Sequence, residues 1–179
     1  MHTELWLAYC GYLAWLSAGF GDFVCHRVTD LPHTSGVPES FSHLLQLALL
    51  GVAIVIGLAF ETGATVTLLL GVLVVAHAVV GYWDTRIAFR RKRVLLPIEQ
   101  HIHSVLDMAP IVAFGWVVAR AWSGDAGGDW SVALRSPAVS IQVWLAVLVP
   151  AIVLCVVPAT MEFIAASKAS STVVSPEAK

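Results

Sequence analysis

The chain has 179 residues, of which 58% are hydrophobic and only 12% charged. Soluble domains average about 25% charged residues, so an ordinary soluble domain is excluded, and the high apolar content excludes a disordered one. A net charge of -2 gives no footing for nucleic acid, and three Cys without paired spacing exclude a disulfide scaffold or a Cys-rich zinc module.

With a mean hydropathy of +0.82, one helical membrane domain remains. A spanning helix needs about 20 predominantly apolar residues. Five stretches qualify: Glu4–Phe23, Glu39–Phe60, Ala64–Trp83, Ile98–Trp122 and Val139–Ile164. The first lacks a basic leader and carries Trp6, Tyr9, Tyr12 and Trp15, so it reads as a retained span. Pro38 and Pro97 open the second and fourth, where a first turn tolerates a residue without an N–H. Glu61-Thr62-Gly63 is a tight connection, and Ser123 to Ser136 a longer polar loop. Pro150 and Pro158 are expected to bend the fifth helix, which has no His and no charge in mid-span. The expected fold is an all-α integral membrane protein with five transmembrane helices. A four-helix core of two pseudo-repeated hairpins carries a peripheral fifth helix, with one domain over 1–166 and a flexible tail over 167–179.

Lys and Arg set orientation. Arg27, Arg86, Arg90, Arg91, Lys92, Arg93, Lys168 and Lys179 fall on one side, against Arg120 and Arg135 on the other. This bias predicts a protein of the bacterial inner membrane type, with the N-terminus outside and the C-terminus cytoplasmic.

Ionisable residues within or at the edge of a membrane are costly and mark function by default. His26, His33, His43, His77, His101 and His103 all fall at the cytoplasmic ends of spans one to four, together with Asp22, Glu39, Asp84, Glu99 and Asp107. Asp22 and His26, Glu39 and His43, Glu99 and His103, and His103 and Asp107 are each four apart, so each pair shares a helix face. His77 and Asp84 share a face at a spacing of seven. His101 points about 160° away from His103 at 100° per residue and ranks below it. His33, beside Pro32 and Gly36, reads as a solvated loop residue, and Cys25 as a reduced buried thiol.

A faint repeat joins these residues. Each half has an outgoing helix with Asp, His and Arg, a cytoplasmic loop, and a returning helix that opens with Pro and Glu-x-x-x-His. Carboxylates and imidazoles from four helices converging in one bundle are how di-iron and di-manganese sites are built. Residues 22–107 resemble the ferritin-like plan in ligand types and pseudo-symmetry, with Glu-x-x-x-His where that plan has Glu-x-x-His. The chain also resembles membrane desaturases and hydroxylases in placing ligands at the cytoplasmic face of a small bundle, although their His boxes are absent.

The expected metal ligands are Asp22, His26, Glu39, His43, His77, Asp84, Glu99 and His103, with Asp107 and His101 as supporting residues. Mixed O and N ligation suits two irons per chain, with manganese or zinc as alternatives. The expected activity is hydroxylation or desaturation of a lipid or other apolar substrate. The basic loop 86–93, first of all a topology determinant, is a candidate dock for a soluble electron donor. The competing readings are a zinc-dependent lipid hydrolase, a haem-binding electron-transfer subunit and a metal transporter.

Overall fold

The computed structural model describes residues 2–122 and 129–173, which are helical apart from short connections. Helix α1 runs His2–Val28, α2 Val37–Ala59, α3 Ala64–Arg90 and α4 Pro97–Trp122. The last rod is α5, Ile141–Ala151, joined to α6, Val157–Val173, by a π-helical turn over Ile152–Val156. Four helices are long and apolar enough to cross a membrane: α2, α3, α4 and the continuous rod from Ile141 to Thr172. Helix α1 is as long, at 27 residues, but its Tyr, Trp, Gly and Ser make it less apolar.

The prolines act where expected. Pro38 and Pro97 lie in the first turns of α2 and α4. Leu96 N–H then donates to Glu99 Oε2 at 3.2 Å, half of a capping box. Pro150 cannot donate to the carbonyl of Ala146, and the Tyr9 hydroxyl takes that carbonyl at 3.1 Å. Tyr12 bonds the next one, Val147, at 2.7 Å. Between Pro150 and Pro158, where a bend is expected, the rod has a π-helical turn.

The ring of helices differs from the expected core. Helix α1 packs on α4, α4 on α3, and α3 on α2, while α6 packs against both α2 and α1. The fifth rod is therefore not peripheral. It closes the bundle between α1 and α2, where Cys155 and Ala159 are buried with Leu16 and Phe23. The small Ala159 and the displaced π backbone allow this close approach. Nor does the helix end at 166: α6 continues to Val173, so the expected tail boundary falls inside it, and 174–179 lie outside the described residues.

At the end of the bundle holding Glu61, residues 129–136 fasten α2 to α3. The expected loop lies outside the described residues over 123–128. Arg135 donates to the terminal carbonyls of α2 at Gly57 and Phe60, and an isolated bridge pairs Phe60 with Leu134. The backbone N–H of Ser131 and its hydroxyl donate to Asp129 and hold that carboxyl below its usual range.

At the opposite end, α3 stops in a Schellman turn. Lys92 N–H bonds Phe89 O at 3.1 Å and Arg93 N–H bonds Ala88 O at 3.0 Å. This places Lys92 in the left-handed region, φ 56°, where glycine is normally found. Lys92→Gly is expected to raise stability by about 1 kcal/mol, read from denaturant unfolding in detergent.

Candidate metal centre

The cytoplasmic ends assigned from the sequence meet at one end of the ring. The last turns of α1 bring Asp22 and His26, the first turns of α2 bring Glu39 and His43, α3 brings Asp84, and α4 brings Glu99 and His103. All are buried except His103, whose side chain is 17% exposed. They form two groups whose ligand atoms all lie within 4.8 Å of one another: Asp22, His26, Glu99 and His103 from α1 and α4, and Glu39, His43 and Asp84 from α2 and α3.

A residue the sequence reading passed over joins the two. Glu162, on α6, places Oε2 2.8 Å from His26 Nδ1 and Oε1 2.7 Å from His43 Nδ1. A carboxylate only accepts, so both Nδ1 atoms act as donors to Glu162, which in a neutral ring leaves Nε2 with a lone pair. The two rings stack 4.6 Å apart and 7° from parallel. These three residues also satisfy the spacing of a ligand group.

The Nε2 atoms meet carboxylates at short range. His26 Nε2 lies 3.3 Å from Asp22 and 3.5 Å from Glu99, His43 Nε2 3.1 Å from Asp84, and His103 Nε2 3.0 Å from Asp22. Yet His26 Nε2, His43 Nε2, His103 Nε2 and Asp22 Oδ1 all lack a hydrogen bond of acceptable geometry. Imidazole and carboxylate atoms this close together are what a metal-ligand group requires. Ser42 Oγ lies 2.5 Å from Asp84 Oδ1 and 2.7 Å from the Glu39 carbonyl, and orients Asp84.

Arg93 is the second residue that sequence reasoning misplaced. It was counted with the topology run, but the Schellman turn carries its side chain inward. It bonds Glu39 through Nε at 3.2 Å and Nη2 at 2.5 Å, and Glu99 through Nη2 at 2.5 Å. Nη1 donates to Thr29 at 2.9 Å. Glu39 and Glu99 therefore each share their carboxylate between Arg93 and the ligand groups.

Three expected roles change. His77 is buried but falls in neither group, because seven residues carry it about 10 Å deeper than Asp84 along the same face. Asp107, similarly deeper than His103, makes no hydrogen bond to a ligand imidazole among the described residues; Glu162 holds the rings instead. His101 is exposed and supports nothing in the centre, as its rotation from His103 dictates. His33 is exposed and pairs with Asp30, and Cys25 is a buried free thiol.

Asp22, Glu39, Asp84, Glu99 and Glu162 bring five carboxylates together with the guanidinium of Arg93 and the imidazoles of His26, His43 and His103. Comparison with protein-family models, curated proteins and solved structures yields no match.

Removing one partner of a buried ion pair leaves the other charge uncompensated. Arg93→Met is expected to destabilise the protein by about 3–5 kcal/mol in denaturant unfolding, with Arg93→Lys intermediate because it cannot fork between two carboxylates.

Proposed function

We propose that the protein is a membrane metalloenzyme that binds two divalent metal ions, iron in the resting assignment, in the carboxylate/histidine centre. The observation that carries this reading is Glu162 fixing both Nδ1 atoms, which turns two stacked, unpartnered Nε2 atoms toward an acidic cluster. A carboxylate behind a ligating imidazole is the usual way to set its tautomer and basicity. One ion takes Asp22, His26, Glu99 and His103; the other takes Glu39, His43 and Asp84. Exchanging α1 with α3 and α2 with α4, as the sequence repeat suggests, exchanges these two helix pairs.

With the imidazoles neutral, as metal ligands are, five carboxylates less the Arg93 charge leave four negative charges, which two divalent cations would match and a single zinc would not. This disfavours the zinc hydrolase. Stacked parallel rings 4.6 Å apart cannot be opposite axial ligands of one haem iron.

The activity that follows is hydroxylation or desaturation of a lipid-derived substrate entering from the bilayer. Iron in such a ligand set supplies oxygen binding and reduction. The chain's own residues hold the metals, keep the rings in one tautomer through Glu162, and anchor Glu39 and Glu99 through Arg93. Helix α1 would cross the membrane with the other four rods, with its N-terminus outside. The inner side would carry Arg86, Arg90, Arg91 and Lys92, where a soluble, acidic electron donor would dock.

Elemental analysis of the purified protein is expected to find two irons per chain. Glu162→Gln, which has one acceptor oxygen for two rings, should weaken metal binding by about 10–100-fold, while His101→Ala leaves it unchanged. No bound metal, or one zinc per chain, would overturn the assignment.

A further inference from the structure

Below the carboxylate/histidine layer the bundle holds a partly open cavity of about 80 Å³. Its upper wall is the metal layer itself, with Asp22, His43, Asp84 and His103, and its lower wall includes Trp15, Leu16, Leu47 and Leu50. Between the two lies a band of polar side chains that the metal centre does not use: Gln46 on α2, His77 on α3 and Asp107 on α4. Gln46 is three residues beyond His43 and Asp107 four beyond His103, so they lie about 4.5 and 6 Å below the metal layer.

None of the three makes a hydrogen bond to another described residue. His77 is 3% exposed, and its Nδ1 is enclosed without a partner. Polar groups inside a membrane bundle ordinarily bond across helices, because an unmade bond there is expensive. Here they face a common space instead. Gly81 keeps that space open: a Cβ on it would lie 2.8 Å from Asp107 Oδ1 and 3.5 Å from Gln46 Oε1. Two acceptor oxygens thus converge over a stretch of α3 backbone with no side chain in the way.

We propose that this band binds the donor-bearing end of the substrate, a hydroxyl or an amine, with Asp107 and Gln46 accepting from it and His77 completing the polar wall. The alkyl part packs against Trp15, Leu16, Leu47 and Leu50. The cavity has room for about three waters' worth of liquid volume, enough for a polar head and its first carbons, so the rest of the chain lies among the helices toward lipid. The substrate is then an amphiphile, and the carbons brought under the metal layer are those near its head. The inference rests on the proposed metalloenzyme for its chemistry, but the pocket itself needs no metal to bind.

The test uses the full-length protein in lipid nanodiscs, both metal-loaded and metal-free. Three probes share one chain length and differ in the head: 1-decanol, 1-decylamine and 1-methoxydecane. Affinities are read from the shift of the thermal melting midpoint on titration. The alcohol, the amine or both are expected to bind about tenfold tighter than the ether, which cannot donate, and the preferred one identifies the head group. Asp107→Leu and Gln46→Leu should each abolish that preference while ether binding is retained, which shows that the pocket still folds. Gly81→Ala should weaken all three probes. Equal binding of the three, no binding of any, or a preference that survives both Leu substitutions would overturn the proposal. A donor preference in protein that takes up no metal would leave this pocket standing and remove the metal assignment; metal uptake without the preference would do the reverse.

Discussion

A single carboxylate holding two imidazoles organises the charged end of this bundle. Glu162 reaches from α6 to His26 on α1 and His43 on α2, two helices that meet largely through the rod that carries it. Without that bridge each ring could rotate or change tautomer, and its Nε2 could bond the nearest carboxylate as an ordinary donor. With it, both rings are stacked and both Nδ1 atoms are committed to one carboxylate. The π turn between Pro150 and Pro158 belongs to the same constraint. An inserted residue shifts the helical phase of everything after it, and Glu162 lies six residues beyond the turn's last residue.

Arg93 supplies the complementary constraint from the opposite pair of helices. One guanidinium joins Glu39 on α2 to Glu99 on α4 and is itself carried by the turn between α3 and α4. Its fork suits two carboxylates in a way an ammonium cannot. The turn that delivers it requires a left-handed Lys92, a local strain maintained because the buried contacts outweigh it. Glu162 and Arg93 together tie all five rods at one end, although the two residues lie 69 positions apart in the chain.

Much of this centre was legible in the sequence. Four-residue spacings placed Asp22 with His26, Glu39 with His43, and Glu99 with His103 on common faces, and hydrophobic run lengths put those faces at the same depth. The same arithmetic separated His101 from His103. What spacing does not convey is depth between helices: His77 shares a face with Asp84 but lies two turns lower, so it lines the cavity instead of the ligand groups. Glu162 was hidden for another reason. A lone Glu near the end of an apolar helix, 136 residues from His26, has no local pattern to announce it; its distance from Pro158, four residues, is the one signal that a helical wheel corrected for a π turn would have offered. Arg93 was masked by its neighbours, since in a run of five cations composition does not distinguish the one that turns inward.

The sequence by itself determined that this is an all-helical protein with membrane-length apolar rods, and that its ligand-type residues collect at one end. Those properties follow from run length and from periodicity, which are local. The tertiary structure alone decided that the fifth rod enters the ring, that Glu162 and Arg93 join the centre, and that Gln46, His77 and Asp107 face a shared cavity. Each of these depends on which helix packs beside which. That order is set by side-chain fit and backbone displacement across the whole bundle, and no single segment encodes it.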